Sequence, residues 1–387
     1  MDIKQRILAE LSDLESRAEL RELQTVHGID FSSNDYLGLA VDPRMKQAIL
    51  EAVESAARIA STGSRLLSGH AEAWTVIEHD FARWVGTEAA LYFTSGYAAN
   101  MGLLGAFLRP EDVVFSDSAN HASLIDGMRL AKSKLVIFPH LDLDFLQEQL
   151  ERNTSAGGQL FIVTESIFSM EGDRAPLADL VTLAEHFGAA LIVDEAHAIG
   201  VRGPRGSGCV AEAGLSDRVF ATVHTCGKAL AAAGAFVCGS DNLRKLLINR
   251  ARTFIYNTAL PPYFASQVSA GMTLAQNADP QRGRLAELSV FLRSELRKND
   301  FYIGGIDSQI IPVVLGWNEA AVQFAEHLRA RGFGVRAIRP PTVPEGSARI
   351  RLSLTAKHSE DILAELVAGL VHARDEFSKA RAADVSP

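Results

Sequence analysis

The 387-residue sequence predicts an α/β protein with a large, mostly parallel seven-stranded sheet domain and a smaller α+β C-terminal domain. The first observation is a series of short apolar segments that alternate with helix-like segments, as in parallel sheets covered on both faces. The second is that polar residues follow the ends of these segments, where sheets of this kind bind ligands. The third is a change after Pro261-Pro262, where the chain becomes helical to about residue 298 and then forms a shorter alternating unit.

Seven segments have the apolar, β-branched composition of strands. These predicted strands are 89–93, 113–115, 135–138, 160–165, 190–193, 219–223 and 235–238. The C-terminal unit has predicted strands at 310–315, 334–338 and 348–354 and predicted helices at 318–331 and 359–377. We therefore expect an N-terminal helix and substrate loop at 1–44, a large α/β domain at 45–278 and an α+β domain at 279–387.

The N-terminal segment has apolar residues at helical spacing, which predicts a helix over residues 2–24. Arg17 and Arg21 are four residues apart and would share one face of that helix. For Arg17 the simpler interpretation is a solvated side chain.

Composition excludes several classes of protein. A net charge of −9 argues against sequence-independent binding to nucleic acid or to an anionic membrane. No apolar run approaches the ~18 residues of a membrane span, and the N-terminus has no secretory signal. The three cysteines have neither a disulfide pattern nor a metal-site spacing, so we predict reduced thiols, no metal and a cytoplasmic location.

Lys228 is the residue on which the predicted chemistry depends. It follows the 219–223 strand within the run Thr225-Cys226-Gly227-Lys228, and a lysine at such a position can form a Schiff base with an aldehyde. Taken alone, a lysine in this position is more often a surface residue in a loop. Asp194, which follows another strand 34 residues earlier, supplies the carboxylate that pyridoxal phosphate needs at its ring nitrogen.

Other polar residues at strand ends complete a candidate pyridoxal phosphate site. His197 would reach the ring hydroxyl and His121 would stack on the ring. The Ser95-Gly96 turn opens a helix, so its backbone N–H groups, together with Thr225, would hold the phosphate. Asp194-Glu195-Ala196-His197 is also a helicase motif, but the phosphate-binding Gly-x-x-x-x-Gly-Lys-Ser/Thr loop of helicases is missing here.

The sequence resembles the pyridoxal-phosphate-dependent α-oxoamine synthases over about residues 3–375. The resemblance is carried by FSSNDYLGL (31–39), TSGYAAN (94–100), HAS (121–123), SMEGD (169–173), DEAH (194–197) and GK (227–228). Two further runs, ARTFIYNTALPP (251–262) and AIRPPTVP (337–344), are similar to the branch that joins a pimeloyl thioester to L-alanine.

The resemblance implies the aminotransferase-like fold (fold type I), a homodimer with shared active sites and a role for each matching residue. Lys228, His121 and Asp194 would be catalytic. The implied cofactor-binding residues are Lys228, Asp194, His197, Ser95, Gly96, Tyr97, His121, Ser169, Thr225 and, from a second subunit, Thr258. The implied substrate-binding residues are Arg21, Asn34, His121, Arg339, Thr342 and Arg351, the last for the amino-acid carboxylate.

Three alternatives remain open at this point. A sister synthase would use glycine or serine with another thioester. An aminotransferase would share the fold and the cofactor but transfer nitrogen. A cofactor-free interaction protein is disfavoured because every group that the cofactor needs is present.

Overall fold

The computed structural model describes residues 2–154, 157–304 and 307–384, which form two compact units. The terminal unit consists of the described parts of 1–34, 170–173 and 284–387. The sheet unit consists of residues 35–169 and 174–283. The domain boundaries expected near residues 44 and 278 stay predictions.

The helices of the described residues alternate with strands through most of the sheet unit. They are α1 (Ile3–Ser16), α2 (Pro43–Ser55), α3 (Glu72–Val85), α4 (Gly96–Phe107), α5 (Ala122–Ala131), α6 (Leu143–Asn153), α7 (Leu177–Phe187), α8 (Cys209–Glu212), α9 (Asp241–Arg250), α10 (Arg252–Ile255), α11 (Tyr263–Gln276), α12 (Asp279–Lys298), α13 (Asn318–Ala330) and α14 (Glu360–Asp384). Short 3-10 turns lie at Leu39–Val41 and Pro204–Gly206.

The strands belong to three sheets. They are β1 (Ile29–Asp30), β2 (Ala89–Phe93), β3 (Val113–Asp117), β4 (Lys134–Phe138), β5 (Leu160–Glu165), β6 (Ala190–Asp194), β7 (Ala221–Thr225), β8 (Ala235–Gly239), β9 (Ile310–Gly316), β10 (Phe333–Gly334), β11 (Ala337–Ile338) and β12 (Ala348–Ser353).

The sheet unit is built on seven strands in the order β2-β8-β7-β6-β5-β3-β4. The five strands from β7 to β4 are parallel, whereas β8 runs antiparallel to both β7 and β2. The predicted mostly parallel seven-stranded sheet is confirmed. Since the parallel strands end at the same edge, the residues after β3, β5, β6 and β7 are brought together.

The large sheet is buried beneath helices. Every residue of β2, β3 and β5 is buried, so these strands have no solvent-exposed face. Helix α4 is apolar around most of its circumference, and its Leu103 and Leu104 are completely buried in the core with Val163 of β5 and Ile192 of β6. This burial fixes the N-terminal end of α4, where the Ser95-Gly96 turn lies.

The terminal unit contains the two smaller sheets. β12 lies between β11 and β9 in a three-stranded antiparallel sheet, and β1 pairs in parallel with β10. Helix α14 contributes buried Leu363, Leu366 and Leu370 to the core of this unit. The backbone N–H of Ser353 donates to the carbonyl of Phe31 at 2.8 Å, so the end of β12 lies beside the residues that follow β1.

Three sequence predictions need correction. The N-terminal helix ends at Ser16, because Ala18 has a φ of +52° that a right-handed helix cannot continue. Arg21 therefore lies beyond α1 and does not share a helical face with Arg17, whose exposed side chain pairs with Asp13 at 2.7 Å.

The predicted strand over 334–338 is two short strands, β10 and β11, in different sheets. A tight turn separates them, in which the N–H of Val335 donates to the carbonyl of Phe333 at 3.1 Å. The strand before Lys228 is β7, which begins and ends two residues later than predicted.

Candidate active site

Lys228 lies in the loop that joins the antiparallel strands β7 and β8. Two backbone hydrogen bonds close this loop: the N–H of Cys226 donates to Gly234 at 2.8 Å, and the N–H of Ala232 donates to Cys226 at 2.9 Å. The Lys228 side chain is half-buried. Its position is therefore set by the sheet on one side and by a tight loop on the other.

The amine of Lys228 contacts a histidine from the neighbouring strand. Its Nζ lies 2.9 Å from Nε2 of His197, which follows β6. The other ring nitrogen of His197, Nδ1, lies 2.6 Å from the hydroxyl of buried Tyr36. Tyr36 was not singled out by the sequence reasoning, although it lies within the FSSNDYLGL run.

Asp194 is the last residue of β6 and is buried, with 5 % of its surface exposed. The side-chain amide of Asn100 on α4 donates to Oδ2 at 2.7 Å, and the N–H of Ala196 donates to Oδ1 at 2.9 Å. Asn100 also donates to the Ser123 hydroxyl at 2.9 Å. These contacts hold both carboxylate oxygens in place. Asn100 was missed as a functional residue, but an amide on an otherwise apolar helix was a usable signal.

His121 lies at the start of α5 and is held by its neighbours. Its backbone N–H donates to Oε1 of Glu165 at 2.6 Å, and its Nδ1 lies 2.7 Å from the Ser123 hydroxyl. Desolvation lowers the pKa of the His121 imidazole, the negative charge of Asp194 opposes this, and the charge of Lys228 adds to it. The neutral form of the ring is therefore favoured.

The turn before α4 has the features of a phosphate site. The Ser95 hydroxyl caps the helix by accepting the N–H of Ala98 at 3.1 Å. A Cβ on Gly96 would lie 3.5 Å from Oγ1 of Thr225, so the helix terminus and the end of β7 are adjacent. Such a terminus presents backbone N–H groups and a partial positive charge to an anion.

The remaining predicted cofactor residues are placed as follows. Tyr97 is 42 % exposed, and its hydroxyl donates to Asp126. Ser169 is buried in the segment after β5. Thr258 is exposed, and its neighbour Asn257 donates to the Thr94 hydroxyl at 2.7 Å.

Glu195 is a buried carboxyl that the sequence reasoning did not assign. Its Oε2 accepts the N–H of Cys209 at 2.6 Å and its Oε1 accepts that of Val210 at 3.3 Å, which anchors the start of α8. Burial raises the pKa of Glu195 to about 7, against hydrogen bonds that lower it. Gly208 has a φ of +105°, and a Cβ there would lie 1.9 Å from the Glu195 carboxylate. Only glycine fits at this position.

Apart from His121, which lies in the sheet unit, the predicted substrate residues form two groups within the terminal unit. In the first, buried Arg351 on β12 donates to Oδ1 of Asn34 at 3.1 Å and to the Ser353 hydroxyl at 2.7 Å. Ser353 was not predicted. An arginine held in this way presents a fixed, planar donor set of the kind that binds carboxylates.

In the second group, Arg21 donates to the Thr342 hydroxyl at 3.3 Å and to the Pro340 carbonyl at 3.2 Å. Arg339 donates to the carbonyls of Ala18 and Leu20. Desolvation lowers the pKa of Arg339, as does the nearby positive charge of Arg21. The structure thus brings Arg21, Arg339 and Thr342 together. Their role in substrate binding stays a prediction.

Comparison with known proteins identifies the family. Residues 26–370 match the model of the aminotransferase class I and II family. The chain belongs to this family. The curated 8-amino-7-oxononanoate synthase of Geobacter sulfurreducens is 41% identical over 96% of this chain and 98% of its own length.

Two solved structures of similar proteins have the same fold. Serine palmitoyltransferase from S. paucimobilis, with PLP and myriocin bound, superposes with a TM-score of 0.89 at 27% identity, over 96% of this chain and 98% of its own. The 8-amino-7-oxononanoate synthase of Francisella tularensis has a TM-score of 0.78 at 28% identity, over 90% of this chain and 99% of its own. The predicted aminotransferase-like fold and the resemblance to α-oxoamine synthases are confirmed.

The cofactor of this family member is pyridoxal phosphate, and the sheet unit has the groups that it needs. A buried carboxylate with both oxygens oriented suits the ring nitrogen, and the amine of Lys228 suits the aldehyde. A capped helix terminus without a side chain at Gly96 suits the phosphate.

Among residues 2–154, 157–304 and 307–384, no helix combines the length and the hydropathy that a membrane span requires.

Proposed function

We propose that the protein condenses L-alanine with a pimeloyl thioester and releases carbon dioxide, giving 8-amino-7-oxononanoate and a free thiol for biotin synthesis. The observation that supports this most is the 41% identity to the Geobacter sulfurreducens synthase across nearly the whole of both chains. The thioester would be carried by coenzyme A or by an acyl carrier protein. The site geometry supports the chemistry, and the identity supports the choice of substrates.

The proposed roles in the sheet unit follow from the contacts of each side chain. Bound pyridoxal phosphate supplies an aldehyde that reacts with amines and a ring that takes up the electron pair left on the alanine Cα. Asp194 would hold a proton on the ring nitrogen, because Asn100 and Ala196 already orient its carboxylate. The Lys228 amine would remove the alanine Cα proton. Nε2 of His197 would then accept a hydrogen bond from the protonated Lys228 amine.

The remaining residues would bind and orient. His121 would stack on the cofactor ring in its neutral form, which the direction of its pKa shift favours. Ser95, Gly96, Tyr97 and Thr225 would bind phosphate or ring, and Ser169 the ring oxygen. Arg351 would bind the alanine carboxylate until it leaves as carbon dioxide, with Asn34 beside it. Arg21, Arg339 and Thr342 would bind the acyl substrate.

We also propose a cytoplasmic homodimer with shared active sites, in which Thr258 contacts the phosphate bound to the second subunit. The buried free thiols of Cys209, Cys226 and Cys238 support a reducing compartment. Light scattering should give twice the 41.8 kDa of one chain, and a mass of one chain would rule out the shared sites.

A second candidate is a sister synthase that uses serine and a long-chain acyl thioester. The observation in its favour is the TM-score of 0.89 with serine palmitoyltransferase, which exceeds the 0.78 of the Francisella synthase. Sequence identity of 41% against 27% favours the alanine enzyme.

One experiment distinguishes these functions. The purified protein is incubated with carboxyl-labelled L-alanine and pimeloyl thioester, and parallel reactions contain glycine with acetyl thioester and serine with palmitoyl thioester. We expect labelled carbon dioxide and unlabelled 8-amino-7-oxononanoate in equal amounts. A product that keeps the label, or faster turnover with serine or glycine, would contradict the proposal. Because a pocket distinguishes one methyl group by only about 1–3 kcal/mol, slow reaction of glycine is compatible with it.

A further inference from the structure

Two histidines and a glutamate form a cluster on the two packed helices α13 and α14. We call His327, His372 and Glu376 the His–His–Glu cluster; one ligand atom of each lies within 4.8 Å of the other two. Nδ1 of His327 is 2.8 Å from Oε2 of Glu376, and Nδ1 of His372 is 3.5 Å from Oε1. None of these residues belongs to the proposed catalytic, cofactor or substrate sets.

The spacing of the cluster suits a transition metal. His372 and Glu376 are one helical turn apart and so project from the same face of α14, as metal ligands on helices commonly do. Zinc binds nitrogen and oxygen at about 2.0–2.2 Å, so neighbouring ligand atoms in a tetrahedral site lie about 3.3 Å apart. The separation of 3.5 Å between His372 and Glu376 is close to this.

The shorter contact of 2.8 Å between His327 and Glu376 has to widen slightly on binding. The side chains of His372 and Glu376 are 51% and 57% exposed, which leaves them free to rotate and lets water complete the coordination. His327 is only 13% exposed and would be the fixed ligand.

Two features of the surroundings weaken the site. Nη1 of Arg331 lies 3.3 Å from Nδ1 of His327, so a bound cation would have to displace a positive charge. Nε2 of His327 is buried and has no hydrogen-bond partner among the described residues, whereas metal-binding histidines usually donate through their second nitrogen. The affinity should therefore be below that of a buried structural zinc site.

We propose that the His–His–Glu cluster binds a divalent transition-metal ion, zinc being the reference, and that the bound ion joins α13 to α14. Each helix supplies at least one ligand, so binding stabilises the folded terminal unit. The ion has no role in the condensation. This inference is independent of the substrates proposed above.

The test is zinc binding to the purified, cofactor-loaded protein, measured by calorimetry and by the metal content after equilibrium dialysis. We expect one zinc ion per chain at this site and a rise in the thermal midpoint when zinc is added. His372→Ala should weaken binding at least about tenfold, since even the loss of an outer-shell partner costs about 10–100-fold. His186→Ala, which removes an exposed histidine from α7, is the matched control and should bind zinc as the wild type does.

A second variant separates metal binding from simple helix packing. Arg331→Met removes the competing cation and should strengthen zinc binding, although it removes a contact to His327. A role in packing alone would make this variant less stable without any gain in zinc affinity. The proposal is wrong when the wild-type protein binds no zinc, when His372→Ala binds it equally well, or when Arg331→Met fails to strengthen binding.

Discussion

Nε2 of His197 lies 2.9 Å from Nζ of Lys228, and Nδ1 of the same ring lies 2.6 Å from the Tyr36 hydroxyl. A neutral imidazole carries one hydrogen, so the two contacts are linked. When Lys228 is protonated and donates to Nε2, the hydrogen is on Nδ1 and is donated to Tyr36. When the Tyr36 hydroxyl donates to Nδ1, the hydrogen is on Nε2 and is donated to an unprotonated Lys228.

Tyr36→Phe should therefore weaken catalysis without removing the cofactor. Loss of one neutral hydrogen bond is worth about 0.5–1.5 kcal/mol, so we expect kcat to fall about 2- to 12-fold. The pH profile of kcat should also shift, because His197 loses the partner that orients its hydrogen. A variant with an unchanged pH profile would show that Tyr36 does not act through His197.

Lys228→Ala should abolish turnover and the visible absorbance of the bound cofactor. The reason is that the Lys228 amine is the proposed covalent partner of the cofactor aldehyde. Circular dichroism should show an unchanged fold, because the half-buried side chain extends from a loop closed by backbone hydrogen bonds. Lys245→Ala on the exposed face of α9 is the control. Normal turnover by Lys228→Ala would exclude this lysine.

Asp194→Asn should impair removal of the alanine Cα proton far more than binding of alanine. The amide that replaces the carboxylate cannot hold a proton on the ring nitrogen. Since a charged hydrogen bond is worth roughly 1.5–3 kcal/mol, we expect the rate of proton removal to fall about 10- to 150-fold. Exchange of the Cα proton in heavy water, followed by NMR, measures this step. Asp241→Asn is a surface control, and wild-type exchange in Asp194→Asn would point to another carboxylate.

Arg351→Leu should raise the KM for L-alanine roughly 10- to 150-fold, the cost of losing a charged hydrogen bond to the carboxylate. The KM for the thioester should change little. The KM of Arg351→Lys for L-alanine should lie between those of the wild type and Arg351→Leu, since an ammonium group keeps the charge but not the planar donor pair. Arg336→Leu removes a half-buried arginine from the same unit and serves as the comparison. Equal effects on both substrates would argue that Arg351 has only a structural role.

Glu195→Gln should change how stability depends on pH. Burial raises the pKa of Glu195 to about 7 in the folded protein, against 4.5 for an ordinary glutamate. Between these values the folded state holds a proton that the unfolded state has lost, so the free energy of unfolding falls as the pH rises. The decrease amounts to about 3 kcal/mol over this window.

The glutamine variant does not titrate, so its stability relative to the wild type should increase from pH 4.5 to about 7. Denaturant unfolding at several pH values measures the difference, and Glu287→Gln, at an exposed position, should leave the profile unchanged. A constant difference between Glu195→Gln and the wild type would contradict the raised pKa.

The sequence by itself determined the sheet and the position of its polar edge. Segments such as 89–93 and 160–163 are apolar at every position, which is typical of strands buried on both faces. In a parallel sheet the carboxyl ends of the strands meet at one edge. Asp194 and Lys228 must therefore lie at the same edge, because each comes at the end of a parallel strand. The motif runs then indicated the family, and with it the cofactor.

Only the tertiary structure decided which side chains meet at that edge. Tyr36 reaches His197 across 161 positions, and Asn100 reaches Asp194 across 94, so neither pair has a spacing that a pattern could reveal. The His–His–Glu cluster was missed for the same reason, since His327 comes from a different helix. The sequence pattern also failed to predict where α1 ends, because the backbone conformation of a single residue decides it. The positive φ of Ala18 ended α1 early, because apolar periodicity records which face is buried and not where the backbone changes direction.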